Sequence, residues 1–151
     1  MSKQNILRLI DANTNRAKEG LRVCEDVLRF VYDDAALTMQ LKQLRHRVTV
    51  LLGAYRGPPF VFLKQRAVAR DVGRPATPRD ELRRRCPADI FFANAQRAKE
   101  SVRVLEEFFK LLDVKISLSF KRLRYRLYAV ERAAVRVFEK KKNGRMHENT
   151  D

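Results

Sequence analysis

Two stretches of the sequence carry the same amide, guanidinium and carboxylate side chains at the same helical spacing. The six residues are Asn13, Arg16, Glu19, Asn94, Arg97 and Glu100. An amide offers a donor beside an acceptor, which suits the edge of an aminopyrimidine or a similar ring. A guanidinium matches the oxygens of a phosphate. We therefore expect these side chains to bind a small phosphorylated ligand.

A structural interpretation of the same residues stays open. An Asn in the seam between two helices also fixes their register. An Arg and a Glu three residues apart on a helix surface contribute only about 0.3–0.5 kcal/mol as a solvated pair. Because a duplication copies whole segments, finding the set twice does little to favour a functional role.

Further charged residues lie outside these two stretches. Arg45 and Arg124 hold equivalent positions in two other predicted helices, and guanidiniums that face a cavity need anions beside them. In the long central connection, Arg66 is suited to close over a phosphate and Asp71 to hold Mg²⁺ through oxygen. Gly73 permits a tight turn there. The alternative for this connection is an ordinary charged surface loop.

An internal duplication positions these residues. Residues 12–26 and 93–107 are identical at nine of fifteen positions, and residues 41–48 are echoed by 120–127. Apolar side chains recur every three or four residues in all four segments, which is typical of packed helices. The sequence therefore predicts an all-α fold, a helical bundle of two duplicated antiparallel helical hairpins joined by a long irregular connection.

The pattern also sets the expected boundaries. We expect one helical domain over residues 1–139 and a mobile polar tail over 140–151. The first repeat covers 5–56, the connection covers 57–87 and the second repeat covers 88–139.

Local signals refine this outline. Asp33-Asp34 and the stretch from Asp113 through Ser117 are expected to supply the N-caps between the paired helices. Residues 60–63 form the one stretch that resembles a strand, and Thr77 followed by Pro78 is expected to start a short helix through Arg85.

Composition limits the classes of function. The chain has 33 basic and 18 acidic residues and a net charge of +15, which attracts nucleic acid, anionic membranes or phosphorylated small molecules. No apolar run approaches the roughly 20 residues of a membrane span, and no apolar signal region opens the chain. We therefore expect a cytoplasmic protein without a membrane partner. Cys24 and Cys86 form no CxxC pattern, so neither a disulfide nor a zinc site is expected.

The combination of motifs resembles the short, all-helical hydroxymethylpyrimidine phosphate kinases of thiamine biosynthesis. Such a module is often fused ahead of thiamine phosphate synthase. The motifs that carry the resemblance are Asp11-Ala12-Asn13 with Arg16 through Arg22, Lys42 with Arg45, Arg66 with Asp71 through Gly73, Asn94 with Arg97 and Glu100, Arg103 through Glu107, and Lys121 with Arg124, Tyr125 and Tyr128.

The resemblance implies ATP-dependent phosphoryl transfer to hydroxymethylpyrimidine phosphate, with Mg²⁺ as the metal. Such chemistry depends on positioning and positive charge, because the acceptor oxygen is already ionised. The implied catalytic residues are Arg45, Arg66, Asp71 and Arg124. The implied substrate-binding residues are Asn13, Arg16, Glu19, Gly73, Asn94, Arg97 and Glu100. The implied metal ligands are Asp71 and Glu106.

Two alternatives to the kinase are kept. One is a basic nucleic-acid-binding bundle, which the interleaving of cations with Glu disfavours. The other is an inactive scaffold that acts beside thiamine phosphate synthase, because Ala67 and Arg74 replace the usual Asp and Thr of the family. Small-molecule phosphates are the expected partners, and a homodimer is left open.

Overall fold

The computed structural model describes residues 2–58, 60–66 and 83–148, with side chains described as far as residue 141. Helices make up all the regular structure of these residues, so the predicted all-α helical bundle is confirmed. The elements are α1 (Lys3–Phe30), α2 (Ala35–Gly53), a 3₁₀ turn (Leu63–Gln65), α3 (Pro87–Phe109) and α4 (Val114–Glu148).

The two hairpins begin their second helices with the same cap. The Asp34 carboxylate accepts a hydrogen bond from the Leu37 amide at 2.8 Å, and the Asp113 carboxylate accepts one from the Ile116 amide at 3.1 Å. Each cap satisfies an amide that has no partner within its helix. The predicted caps are therefore confirmed, and the short connections fold each helix pair into an antiparallel hairpin.

The hairpins join where α1 crosses α3. A Cβ built on Gly20 would lie 2.7 Å from the backbone oxygen of Asn94, so only a glycine admits this approach. Further along, the Cys24 thiol donates to the Phe91 carbonyl at 3.4 Å, which shows that the helices run antiparallel. Burial raises the pKa of Cys24 to about 12, so the thiol packs as a small neutral group.

The four helices close into a ring around one core. Helix α1 packs on α2 and α3, and α4 packs on α3 and α2. Burying a large apolar side chain contributes about 1.5–3 kcal/mol, so this shared core holds the two repeats together. Its largest fully buried members include Phe91, Phe109, Phe120, Leu21, Leu41 and Leu105. Among the described residues, no helix is both long and apolar enough to cross a membrane.

Three local expectations met different outcomes. The strand-like stretch at 60–63 is instead a turn that enters the 3₁₀ helix, since its short apolar run has no strand to pair with among the described residues. Helix α4 continues to Glu148, beyond the boundary predicted at residue 139. Within α4, Lys141 donates to the carbonyl of Val31, where a cation suits the C-terminal end of α1. Of the helix expected from Thr77 through Arg85, residues 83–85 are described and are not helical, and the rest lies outside the described residues.

Candidate functional site

An ion pair between α1 and the segment after α2 marks the first candidate site. The Arg66 Nε donates to Asp11 Oδ2 at 2.7 Å, and Nη2 donates to Oδ1 at 2.9 Å. The Asp11 side chain is only 11% exposed, whereas that of Arg66 is 42% exposed. These hydrogen bonds and the charge of Asp11 raise the pKa of Arg66. The pair joins two motifs that are 55 residues apart in the sequence.

A cleft of about 300 Å³ opens beside this pair, and we call it the Arg66 cleft. Asp11 lies on its wall together with aromatic and small residues from the end of α2 and the following turn. The rings of Tyr55 and Phe62 are 5.5 Å apart and tilted at 47°, and Tyr55 also meets the buried Phe109 edge to face. The lining of the cleft therefore combines a carboxylate with ring surfaces, which suits a planar polar ligand. The Arg66 guanidinium is not part of that lining and adjoins it through its hydrogen bonds to Asp11.

Phe60 adds backbone strain to the same cleft. It has a φ of 58°, in the left-handed region that bulky residues rarely occupy, and it is 73% exposed. Such a conformation costs about 1–3 kcal/mol and is concentrated at functional sites. An exposed ring on a strained backbone beside a cleft is an arrangement suited to contact a ligand.

The amino groups of the two asparagines form hydrogen bonds within their own helices. Asn13 Nδ2 donates to the carbonyl of Leu9, and Asn94 Nδ2 donates to that of Ile90, both at 2.9 Å. Within a helix, an Asn side chain readily returns to the carbonyl four residues earlier. The small residues that follow the asparagines allow α1 and α3 to approach, as the contact of Gly20 with the Asn94 carbonyl demonstrates.

The charged residues that follow the asparagines lie on the surface. Arg16, Glu19, Arg97 and Glu100 are all exposed, and their role in binding a ligand stays a prediction. The reason for their exposure is geometric, since a residue three positions after a buried one lies at the border of the buried stripe, where a long side chain reaches solvent. Glu100 accepts a hydrogen bond from Gln96, and Glu19 lies near enough to Arg66 to raise its pKa.

Arg45 and Arg124 occupy equivalent positions, but each serves its own hairpin. Arg45 Nε donates to Glu25 at 3.0 Å between α2 and α1, and Arg124 Nε donates to Glu106 at 2.8 Å between α4 and α3. Both glutamates are buried, and hydrogen bonds to Glu106 and Tyr128 raise the pKa of Arg124. The duplication thus repeats a structural ion pair within each hairpin.

The residues predicted to bind metal meet two outcomes. Glu106 is bound by Arg103 at 2.7 Å and by Arg124, so both of its oxygens already face cations. Across the part of the chain that the structure describes, no cluster of three metal-type side chains occurs. Asp71 and Gly73 lie outside the described residues, as do Ala67 and Arg74.

A second cavity of about 390 Å³ lies between the end of α1 and the start of α2. Arg29 and Lys42 line it together with Glu25, Asp33 and Asp34. Three carboxylates offset two cations there, so the charge of its lining does not favour an anion.

Sequence reasoning missed several residues that the structure makes prominent. Asp11 opens the Asp-Ala-Asn motif but was not among the predicted site residues, and Glu25 is the repeat counterpart of Glu106. An alignment of the two repeats would have identified Glu25 from the sequence, because it lies at the position of Glu106. Tyr55, Phe60 and Phe62 follow α2 in a stretch without periodicity, and no sequence signal shows that their rings share a cleft.

Comparison with known proteins identifies a family and several similar proteins. The model of the ThiD2 family matches residues 8–133. A thiamine-phosphate synthase of Thermosynechococcus vestitus is 38% identical over 130 residues, or 86% of this chain and 35% of the relative. Those of Synechococcus sp. (strain CC9311) and Rhodopirellula baltica are 40% and 33% identical, over 36% and 34% of their own lengths. The chain thus spans about a third of the curated relatives it matches. No solved structure matches it significantly.

These relatives correct the expected activity. The resemblance to a short helical module tied to thiamine synthesis is supported by the family match and by the relatives' names. The predicted activity, that of an ATP-dependent hydroxymethylpyrimidine phosphate kinase, is wrong. The relatives are named thiamine-phosphate synthase, which is a different enzyme. The motifs identify the family and its fold, but they do not determine which reaction the protein catalyses. ATP and Mg²⁺, expected as companions of the kinase, stay untested predictions.

Proposed function

The chain belongs to the ThiD2 family, and on that premise we propose that it serves thiamine-phosphate synthesis as a helical binding module. Its ligand is a small ring compound that carries a phosphate, with thiamine phosphate as the representative. Its partner is a thiamine-phosphate synthase, the name that its longer relatives carry.

The single observation that carries the proposal is the Asp11–Arg66 pair at the edge of a cleft lined by rings. A guanidinium has five N–H donors, and the bonds to Asp11 use one on Nε and one on Nη2. The remaining donors match the oxygens of a phosphate, so Arg66 binds the anion while Asp11 holds its plane in position. The buried Asp11 carboxylate also attracts the amino group of a pyrimidine.

The rings of the cleft give the ligand its second attachment. Tyr55 is held by Phe62 on one side and Phe109 on the other, so its ring is already ordered before a ligand arrives. Ordered aromatic walls bind a flat heterocycle at a small cost in conformational entropy. The net charge of +15 further draws a phosphorylated ligand toward the chain and speeds its association.

Calorimetric titration of the purified chain with thiamine phosphate tests the proposal. We expect saturable binding, weaker binding of unphosphorylated thiamine, and a loss of about 10- to 100-fold in affinity on Arg66→Ala, the worth of a charge-assisted hydrogen bond. The matched control is Arg126→Ala, which removes an exposed arginine from α4. No heat of binding in the wild type, or an equal loss in both variants, would contradict the proposed function.

Phe60 provides an independent prediction for the same cleft. Phe60→Asn places a residue that tolerates a positive φ at this position, so we expect the free energy of unfolding to stay the same or rise by about 1 kcal/mol. The ring is lost at the same time, and affinity for thiamine phosphate should fall about tenfold. Urea unfolding and titration of one preparation separate the two effects. A variant that is less stable yet binds normally would contradict the role given to Phe60.

A further inference from the structure

One face of α4 is exposed along most of the helix and carries apolar side chains and cations. Its members recur at intervals of four and three residues, the spacing of a continuous stripe on one side of a helix. We call this stripe the tyrosine face, and it consists of Val114, Leu118, Lys121, Tyr125, Tyr128 and Arg132, all of them exposed. Large apolar side chains that cluster on a surface mark an interaction site.

The two tyrosines are held in place from below. Their rings meet edge to face at 5.8 Å, and the Arg124 guanidinium lies 5.2 Å from the Tyr125 centroid and 5.5 Å from that of Tyr128. Arg124 Nη1 also donates to the Tyr128 hydroxyl at 2.8 Å. Since Arg124 is itself bound to the buried Glu106, both rings are ordered although 58% and 39% of their surfaces are exposed. Ordered tyrosines lose little entropy on binding and are common anchors of protein interfaces.

The tyrosines are not required by the ion pair beneath them. The first repeat contains the same pair, Arg45 with Glu25, and it has His46 and Thr49 at the positions of Tyr125 and Tyr128. The duplicated core therefore forms without exposed rings at this place. The rings are a feature of the second hairpin alone, which points to a role in contact with another molecule.

Charge and ring geometry narrow the identity of that molecule. Lys121 and Arg132 flank the tyrosines, so a second copy of a chain with net charge +15 would bring like charges together. A nucleic acid would need ring faces on which its bases stack, whereas Arg124 already lies over both rings. An acidic protein surface with apolar side chains complements the stripe. The curated relatives carry this segment in chains about three times as long, so in them further protein is joined to it.

We propose that the tyrosine face of α4 docks on an acidic surface of a thiamine-phosphate synthase. This inference rests on the proposed function and names the surface through which the module meets its partner. Tyr125 and Tyr128 supply the central apolar contact, and Lys121 and Arg132 supply the charges around it. The Arg66 cleft takes no part in the contact.

Biolayer interferometry with the purified thiamine-phosphate synthase of the same organism tests the docking surface. We expect saturable binding to the immobilised chain that weakens with added salt. The double variant Tyr125→Ala/Tyr128→Ala and the reversal Arg132→Glu should each weaken it at least tenfold. The matched controls on α2, His46→Ala/Thr49→Ala and Arg47→Glu, should leave it within twofold, and thermal unfolding followed by circular dichroism verifies that each variant is folded.

The two proposals fail separately. Calorimetry of the same variants with thiamine phosphate should show unchanged affinity, because the tyrosine face and the cleft are different surfaces. Absence of synthase binding, or an equal loss in the α2 controls, overturns the docking proposal even where the ligand binds. Two further results overturn it in favour of another occupant of the same face. One is binding of a poly-dT oligonucleotide that the tyrosine variant abolishes while synthase binding persists, and the other is a dimer that the same variant dissociates.

Discussion

Replacing Glu106 with alanine should lower the free energy of unfolding by about 3 kcal/mol. The side chain is 5% exposed and accepts from Arg124 at 2.8 Å and from Arg103 at 2.7 Å. Removing one partner of a buried ion pair costs about 3–5 kcal/mol, because the other charge stays in the protein without compensation. We take the lower end of that range, since Arg103 is half exposed and can turn to solvent.

Urea unfolding followed by circular dichroism measures this loss. The matched control is Glu107→Ala, since Glu107 binds Arg103 and Lys110 at the surface. Exposed pairs of that kind contribute at most about 1 kcal/mol. Glu25→Ala in the first repeat should behave like Glu106→Ala, because Glu25 is also buried and also holds an arginine of the following helix. A loss below about 1 kcal/mol in both buried variants would show that the duplicated ion pair does not stabilise the contact between the two helices of each hairpin.

Gly20→Ala should destabilise the chain by about 2 kcal/mol, contrary to the usual effect of this substitution in a helix. In an exposed helix, alanine is more favourable than glycine by about 1 kcal/mol. Here the new Cβ would lie 2.7 Å from the Asn94 carbonyl and 3.4 Å from the Ala98 side chain. The nearest atom belongs to the backbone, so α1 and α3 must separate, and overpacking of this kind costs about 1–3 kcal/mol.

Gly53→Ala is the control of opposite sign. A Cβ at Gly53 meets nothing within 4 Å at the end of α2, and its φ is not positive. The substitution should therefore leave the free energy of unfolding unchanged or raise it by up to about 1 kcal/mol. Thermal and urea unfolding of the two variants provide the comparison. Stabilisation by Gly20→Ala would contradict the close crossing of α1 and α3.

The architecture was predictable because its signals are local and repeated. Apolar periodicity located four helices, and the cap stretches Asp33-Asp34 and 113–117 located the starts of α2 and α4 within a few residues. The end of α4 was missed, because the polar residues after 139 resemble a tail by composition. Their backbone forms its hydrogen bonds within the helix, so the polar composition does not end it.

The site was less predictable, since it depends on contacts between distant segments. Spacing placed Asn13 on the buried side of α1, but only coordinates reveal that its amide returns to Leu9. Arg66 was identified as a site residue from its motif, whereas its partner Asp11 and the ring of Tyr55 required the folded chain. The residues that follow Arg66 in the connection carry further predicted site residues, Asp71 and Gly73, which stay predictions.

The reaction was the least predictable feature. A resemblance carried by motifs identifies a family, and the helical module of that family occurs within relatives that bear another enzyme's name. Charge, periodicity and spacing constrain which ligands bind and not which bond is made.

A crystal structure of the chain with thiamine phosphate tests the central claim most directly. We expect density for the phosphate against the Arg66 guanidinium and for a ring beside Tyr55 in the same cleft. Density for the ligand in the cavity of Arg29 and Lys42 instead, with the Arg66 cleft empty, would contradict the proposed binding site.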